Sequence, residues 1–245
     1  MINLLDGDLI AFRCAASCEP SRAKPYLEPP EVSLWRVHDL IQRICLETNS
    51  QEIECYLGGS DNFRKKLYPE YKANRTKEPP AYLQLCREIL VTQYGAKVVN
   101  GMETDDALGI AQTKYDGNSR ICSLDKDLLQ VPGWHYNWVN QTVTLVSPLD
   151  GLKTFYKQII LGDKSDNVPG YDGKLRSATP KFIEKLQAPL DEMKDEQDMY
   201  DHVFSVYFDE QGNDDIESIM HLHAQLLYVL RKEEEYWRPP GIREE

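Results

Sequence analysis

The sequence predicts an α/β fold in which a parallel sheet flanked by helices is followed by a helical C-terminal region. Two observations support this prediction. Short apolar runs alternate with amphipathic segments up to residue 150, and helical spacing alone continues beyond it. Alternating strands and helices are typical of a parallel sheet covered on both faces. We therefore predict two domains, residues 1–150 and residues 151–245.

Four runs in the first domain are apolar or β-branched and too short for helices, which predicts strands. They are residues 2–5, 53–57, 97–100 and 120–124. Apolar residues at helical spacing predict helices over residues 31–48 and 82–89. Residues 135–146 alternate differently and predict an edge hairpin that turns near Asn140-Gln141.

Three helices are predicted beyond Pro148. Residues 152–159 belong to the first and residues 216–230 to the last. Thr179-Pro180 predicts the start of the middle helix, because the hydroxyl can cap it and proline suits its first turn.

The chain is acidic, with 28 lysines and arginines against 40 aspartates and glutamates, or 28 − 40 = −12. Taken alone, this charge argues against nucleic-acid binding, which needs a basic surface. No apolar stretch approaches the ~18 residues that span a bilayer, and Asp6 places a charge too early for a signal peptide. The six cysteines lack zinc-site spacing and predict reduced, buried thiols. We therefore expect a cytoplasmic protein without membrane contact.

Acidic residues directly follow each of the four predicted strands. They are Asp6 and Asp8, then Asp61, then Glu103, Asp105 and Asp106, then Asp125 and Asp127. The carboxyl ends of parallel strands share one edge, so these side chains should converge. Their repulsion would have to be offset by protons or cations, and oxygen ligands alone select Mg²⁺ or Mn²⁺. Two ions about 4 Å apart can hold the attacking and leaving oxygens of a phosphodiester, which predicts its hydrolysis.

Each acidic group also has a structural interpretation. Asp6-Gly7-Asp8 could be a turn that ends a strand, Asp105-Asp106 suits the first turn of a helix, and Asp125 with Asp127 could cap one. The recurrence of acids after successive strands favours the metal site. Asp8 is the weakest candidate.

Positive charge is concentrated in residues 63–77, which carry six cations and three aromatic residues. Cations interleaved with aromatic rings suit a phosphate backbone and a stacked base, although a solvated basic loop is the alternative. The segment follows Asp61, so we predict phosphate contact beside the metal ions. The predicted nucleic-acid contacts are Arg64, Lys65, Lys66, Tyr71 and Lys77.

A third motif places Asp163 and Asp166 three residues apart in a turn bounded by Gly162 and Gly170. It resembles the Gly-Asp-x-x-Asp-Asn-φ-x-Gly signature of the 5′-nuclease superfamily, the flap endonucleases and 5′-3′ exonucleases with a PIN-like domain. Residues 71–75 match the Tyr-Lys-x-Asn-Arg stretch of that family. The motifs span about two-thirds of the chain, and residues 230–239 look most like the compact 5′-3′ exonucleases of bacteriophages.

The resemblance implies a PIN-like domain in which nine carboxylates bind two divalent ions, directly or through water. They are Asp6, Asp61, Glu103, Asp105, Asp106, Asp125, Asp127, Asp163 and Asp166. It also implies that Lys72 and Arg75 contact the scissile phosphate and stabilise its developing charge. Residues 168–186 would supply a helix-turn-helix that grips the duplex, with phosphate contacts from Lys174, Arg176 and Lys181.

Two departures from the family pattern limit what is carried over. The segment between Arg75 and Glu103 is short and contains Pro79-Pro80, which favours an open gateway and mainly exonucleolytic action over a complete helical arch. Residues 170–176 lack the Gly-φ-Gly-x-Lys turn of many relatives, so a potassium site is not assumed.

The sequence therefore predicts a Mg²⁺-dependent 5′ to 3′ nuclease. Its expected substrates are duplex ends, nicks, flaps and RNA primers annealed to DNA, in the host cytoplasm if the chain is encoded by a phage. A PIN-like ribonuclease is one alternative, but a minimal PIN domain needs neither the Asp163/Asp166 motif nor the helical C-terminal third. A catalytically silent DNA-structure binder is the other, and the presence of all expected ligands argues against it.

Overall fold

Six strands form one sheet in the computed structural model, which describes residues 1–175, 179–211 and 215–241. In chain order they are β1 (Ile2–Asp6), β2 (Ile53–Gly58), β3 (Lys97–Val99), β4 (Ser119–Cys122), β5 (Gly133–Asn137) and β6 (Thr142–Val146). Their order across the sheet is β3-β2-β1-β4-β5-β6, and the pairs among the first five strands are parallel. The predicted parallel sheet and its edge hairpin are confirmed.

Helices flank the sheet and make up most of the chain beyond it. Those of the described residues are α1 (Gly7–Ala16), α2 (Pro30–Glu47), α3 (Phe63–Leu67), α4 (Leu83–Tyr94), α5 (Thr104–Lys114), α6 (Pro148–Leu161), α7 (Lys181–Glu192), α8 (Glu196–Gln211) and α9 (Ile216–Leu227). The predicted cap at Thr179 is wrong: Pro180 holds the N-cap position of α7 and α7 has no side-chain cap there. In the described ranges, each helix is too short or too polar to span a membrane.

The chain divides into two compact units whose segments alternate along the sequence. The first unit is Met1–Asn62, Lys77–Leu128 and Gly133–Leu145; the second is Phe63–Thr76, Leu129–Pro132 and Val146–Glu245. The basic segment thus belongs with the C-terminal helices rather than with the sheet. The functional division at residue 150 stays a prediction, as does the helix-turn-helix character of residues 168–186.

The core of the first unit lies between the sheet and its helices. Leu4 and Leu5 of β1 are fully buried, and Val37, Ile41 and Ile44 form the buried stripe of α2 at helical spacing. The helices α1, α2 and α4 contact one another, whereas α5 packs on β1, β2 and β4. All six cysteines are free and buried, which agrees with the predicted burial, and their reduced state stays a prediction.

The order in which the chain adds strands to the sheet switches from one side of β1 to the other. The chain adds β2 and β3 on one side of β1 and then adds β4 and β5 on the other side. In an open parallel sheet, such a switch point leaves a crevice at the carboxyl ends of the two strands that flank it. Asp6 ends β1 and Cys122 ends β4, so the acids that follow these strands border this crevice.

The second unit is a helical core built around α6. Phe155, Tyr156, Ile159 and Ile160 are buried on one side of this helix, as its amphipathic sequence predicts. Gln130 is fully buried among these helices, and its side-chain amide donates to the Leu227 carbonyl at 2.8 Å. A buried amide is tolerated only when it is hydrogen-bonded, so this contact fixes the end of α9.

Candidate functional site

Asp6 lies at the switch point and joins the ends of two strands. Its Oδ1 accepts a hydrogen bond of 3.0 Å from the Leu9 backbone N–H, which caps α1. Its Oδ2 accepts a hydrogen bond of 2.7 Å from the Ser123 hydroxyl, one residue beyond β4. The Ser123 oxygen in turn accepts the backbone N–H of Asp125 at 3.0 Å. Ser123 therefore holds the Asp6 and Asp125 segments together.

The pKa of the Asp6 carboxyl is higher than that of an ordinary aspartate. Asp6 is 4% exposed, and its burial raises this pKa to about 6. The nearby charge of Asp125 also raises it. The hydrogen bonds from Ser123 and Leu9 lower the pKa but do not offset the effect of burial. At neutral pH this site therefore holds a buried negative charge that a cation would stabilise.

Asp61 and Asp125, two other predicted ligands of the first unit, lie in the loops that follow β2 and β4. Asp61 follows β2 and is exposed, with its Oδ1 accepting the Asn62 backbone N–H at 2.9 Å. Asp125 is also exposed, and its Oδ1 accepts the backbone N–H of Asp127 at 2.9 Å. These contacts shape the loops while leaving carboxylate surface accessible to solvent.

The group that follows β3 also starts a helix. Glu103 is the N-cap of α5, and its backbone N–H donates to Asp106 Oδ2 at 3.0 Å within a capping box. Asp106 is fully buried, whereas Glu103 and Asp105 are half-buried. The structural interpretation of an acidic first turn therefore holds for Asp106, and its ligand role stays a prediction.

These carboxylates are not arranged as a ready-made cage. Among the described residues, no three His, Cys, Asp or Glu side chains are grouped closely enough to hold a metal ion. The donor set itself fits a hard cation, because it consists of carboxylate oxygens at one edge of the sheet. Ser123 joins Asp6 to Asp125 across two strand ends, and the ligand roles of all nine acids stay predictions.

The second unit brings the two motifs of the family resemblance into direct contact. The Lys72 backbone N–H donates to the Asp166 carbonyl at 2.9 Å, and the Asn74 amide donates to the Lys164 carbonyl at 2.6 Å. In return, the Asn167 amide donates to the Glu70 carbonyl at 2.8 Å. We call residues 70–75 and 163–170 together the clasp. The asparagines of both motifs thus serve to hold one motif to the other.

Asp166 is the charged partner of both cations of the clasp, Lys72 and Arg75. Its Oδ2 accepts the Tyr71 hydroxyl at 2.6 Å and lies 3.3 Å from Lys72 Nζ, while Arg75 donates to its Oδ1 at 2.6 Å. Burial of Asp166 opposes ionisation, but Lys72, Tyr71 and Arg75 outweigh it and lower the pKa of Asp166. The carboxylate therefore stays charged and orients both cations.

Backbone conformation in the clasp is constrained as well. Lys72 has a φ of 59°, a left-handed conformation that costs about 1 kcal/mol or more for a residue other than glycine. Asp163 pairs its backbone with Val168 through two hydrogen bonds of 2.8 Å, and its Oδ1 accepts the Ser165 N–H at 2.6 Å. A side chain at Gly162 would place its Cβ 2.4 Å from the Gly170 nitrogen, so the motif requires glycine there.

Two of the predicted nucleic-acid contacts are wrong. Arg64 is 3% exposed, and its guanidinium donates to the carbonyls of Leu226 at 2.8 Å and Tyr228 at 2.6 Å, where it stabilises the C-terminal end of α9. Tyr71 is also 3% exposed, because its ring is packed in the core and its hydroxyl is bound to Asp166. Neither side chain can reach a phosphate or stack on a base.

The other predicted contacts are consistent with a surface role. Lys65, Lys66, Lys77, Lys174 and Lys181 are all exposed, and Lys174 lies 3.6 Å from Asp172. Arg176 lies outside the described residues. The binding of nucleic acid by these cations stays a prediction.

Comparison with known proteins gives the family. A model of the 5′-3′ exonuclease N-terminal resolvase-like domain matches residues 1–157, more than half of the chain. The chain belongs to this 5′-3′ exonuclease family. It is therefore classed as a nuclease, and the resemblance to 5′-nucleases inferred from the motifs is confirmed.

Individual relatives in the 5′-3′ exonuclease family are distant. The 5′-3′ exonuclease of Buchnera aphidicola subsp. Schizaphis graminum is 27% identical over 202 residues, covering 75% of this chain and 69% of the relative. DNA polymerase I of Bacillus caldotenax is 29% identical over 56% of this chain, but the chain spans only 19% of that protein's length. A bacteriophage T5 flap endonuclease, solved with DNA and metal ions, has a TM-score of 0.54 at 16% identity, covering 92% of this chain and 98% of the solved one. That likeness concerns the fold.

Two side chains at the edge of the sheet were missed by the sequence analysis. Ser123 joins Asp6 to Asp125, and its position two residues before Asp125 was the available signal. Arg87 of α4 forms an ion pair with Asp8 and donates to the Gly58 carbonyl. No local pattern marked Arg87, because its partners lie in other elements. Asp8 is thus held by a cation, in line with its standing as the weakest ligand candidate.

Asp6→Asn should stabilise the metal-free protein at neutral pH. The pKa of Asp6 is near 4 when unfolded and about 6 when folded, so its protonated form stabilises the fold at low pH and this contribution is lost as pH rises through about 6. The Tm of the variant minus that of the wild type should therefore increase between pH 4 and pH 7, by roughly 2–4 °C per kcal/mol of relieved burial cost. Thermal unfolding followed by circular dichroism in EDTA measures it; a difference that does not depend on pH would contradict the account.

Tyr71→Phe should weaken the clasp. The substitution keeps the ring but removes the hydroxyl that donates to the charged Asp166, which should cost about 1.5–3 kcal/mol of unfolding free energy. Tyr68→Phe is the matched control, because the Tyr68 hydroxyl donates to Glu70 in an exposed contact and its loss should cost less than about 0.5 kcal/mol. Urea denaturation distinguishes the two variants, and equal losses would argue against the role given to Asp166.

Proposed function

We propose that this chain is a 5′ to 3′ nuclease that hydrolyses phosphodiester bonds with the help of two Mg²⁺ or Mn²⁺ ions. The observation that carries the proposal is the buried Asp6 carboxylate at the switch point of the sheet, joined through Ser123 to Asp125. A buried carboxylate beside a second acid favours either a proton or a cation. Membership of the 5′-3′ exonuclease family favours the cation.

The proposed metal ligands divide between two kinds of position. Asp6 contributes a buried charge, and Asp61, Glu103, Asp105, Asp125 and Asp127 contribute more accessible oxygens from neighbouring strand ends. Asp106, Asp163 and Asp166 are proposed as ligands on the family resemblance, direct or through water. Bound divalent ions would stabilise the negative charge that develops on the attacked phosphate. The protein's own contribution is to place these carboxylates at the ends of neighbouring strands, on one edge of the sheet.

Lys72 and Arg75 are proposed to contact the scissile phosphate. Both lie on the clasp, where Asp166 holds them at 3.3 Å and 2.6 Å. Cations whose positions are fixed before substrate binds stabilise developing charge at a lower cost of reorganisation. Arg75 is the more accessible of the two, with 56% of its side chain exposed against 18% for Lys72. Arg75 is therefore the better placed to meet a phosphate first.

The proposed substrate is DNA with a 5′ end, at duplex ends, nicks or flaps, and RNA primers annealed to DNA. Support comes from the names of similar proteins: a 5′-3′ exonuclease and a flap endonuclease solved with DNA. Exposed lysines at positions 65, 66, 77, 174 and 181 are the proposed backbone contacts. The cytoplasmic location inferred from the sequence stays part of the proposal.

A cleavage assay tests the proposal. The protein is incubated with 5′-labelled duplex, flap and RNA/DNA hybrid, with Mg²⁺ or with EDTA, beside Asp125→Ala and the control Asp39→Ala, an exposed aspartate of α2. Metal-dependent release of 5′ nucleotides should fall at least ~100-fold in Asp125→Ala and stay unchanged in the control. In a Lys72→Ala variant, kcat should fall while KM stays close to that of the wild type.

Each alternative has its own outcome in this assay. Binding of the DNA substrates without cleavage by the wild type would contradict the proposed activity and favour a silent DNA-structure binder. Cleavage confined to single-stranded RNA would favour a PIN-like ribonuclease. Equal loss of kcat and affinity in Lys72→Ala would make that residue an anchor for substrate.

A further inference from the structure

We propose that Asp8 and Arg87 form a positioning pair that sets the spacing of the carboxylate groups at the edge of the sheet. The inference rests on the proposed metal-dependent function, because it concerns the geometry of the same carboxylates. It assigns Asp8 a role other than metal ligation. It also gives a function to Arg87, a cation that no motif of the chain includes.

Four separate elements meet at the Asp8 carboxylate. Asp8 lies in the first turn of α1, and its Oδ2 accepts the backbone N–H of Gly58, the last residue of β2, at 2.8 Å. The same oxygen accepts the hydroxyl of Thr104, the first residue of α5. Its Oδ1 is paired with the Arg87 guanidinium from α4. One carboxylate therefore connects α1, β2, α5 and α4.

Three of the four connected elements, α1, β2 and α5, have a proposed metal ligand close by in the sequence. Asp6 precedes Asp8 by two residues, Asp61 follows Gly58 by three, and Thr104 lies between Glu103 and Asp105. A change in the Asp8 contacts would therefore shift three acid groups relative to one another. Mg²⁺ is sensitive to such shifts, because it demands near-ideal octahedral geometry.

Arg87 suits this role better than a lysine would. Its planar guanidinium donates to the Asp8 carboxylate from one nitrogen and to the Gly58 carbonyl from the other, so it ties both partners in a fixed geometry. A lysine ammonium has no such fork. The pair is also partly shielded from solvent, with 24% of the Arg87 side chain and 37% of the Asp8 side chain exposed.

Charge distinguishes Asp8 from its neighbour Asp6. The Asp8 carboxylate is neutralised by Arg87. The Asp6 carboxylate is instead buried and accepts hydrogen bonds from Ser123 and Leu9. Space around Gly58 is tight as well: a Cβ there would lie 3.0 Å from Asp8 Oδ2 and 3.3 Å from the Thr104 hydroxyl oxygen. A side chain at position 58 would therefore crowd the Asp8 contact, which glycine leaves room for.

Binding of Mn²⁺ alone, followed by electron paramagnetic resonance, tests the pair independently of catalysis. The variants are Arg87→Lys and Asp8→Asn, with Arg120→Lys as the matched control, since Arg120 also donates to a backbone carbonyl, that of Thr48, within the same unit. The pair variants should bind Mn²⁺ ~10- to 100-fold more weakly than the wild type, as loss of a group that orients ligands does. Arg120→Lys should bind Mn²⁺ as the wild type does.

Thermal unfolding of each variant separates positioning from loss of fold. If Arg87→Lys or Asp8→Asn does not fold, Thr104→Val removes one hydrogen bond from Asp8 and should weaken Mn²⁺ binding in a folded protein. Unchanged Mn²⁺ affinity in folded pair variants would overturn the positioning role while leaving the proposed nuclease intact. A wild-type protein that neither binds Mn²⁺ nor cleaves 5′ ends would overturn both.

Discussion

The structure of the sheet edge depends on one constraint, the burial of the Asp6 carboxylate where strand order reverses. Parallel strands deliver their carboxyl ends to a common edge, and the reversal beside β1 leaves room there for a ligand. Ser123 then ties the end of β4 to Asp6. Burial disfavours the charged carboxylate, so this part of the fold is poised for a cation.

Acids of the same type have different roles because their surroundings differ. Asp8 is neutralised by Arg87 and connects four elements, Asp106 closes the start of α5, and Asp166 orients two cations of the clasp. At Asp6 the effect of burial prevails and the pKa is raised. The net charge of −12 therefore does not exclude a nucleic-acid substrate, since part of it lies on carboxylates that are proposed to bind metal ions.

Elements with a clear period and length could be predicted from the sequence, and so could the placement of acids at strand ends. Contacts between distant segments could not. Arg64 stands in a run of cations, yet it caps a helix that begins at residue 216, and Tyr71 stands among them with a buried ring. Local spacing does not reveal which side of a segment faces the core. Arg87 and Asp8 lie 79 residues apart and carried no shared pattern.

The pKa of Asp6, measured with and without Mg²⁺, tests the proposed metal site most directly. In protein labelled with ¹³C at aspartate carboxyls and assigned with the Asp6→Asn variant, nuclear magnetic resonance gives the pKa of this residue with and without Mg²⁺. The account predicts a pKa of about 6 without metal, falling when Mg²⁺ binds. An ordinary aspartate pKa, or a raised one that Mg²⁺ leaves unchanged, would contradict the metal site.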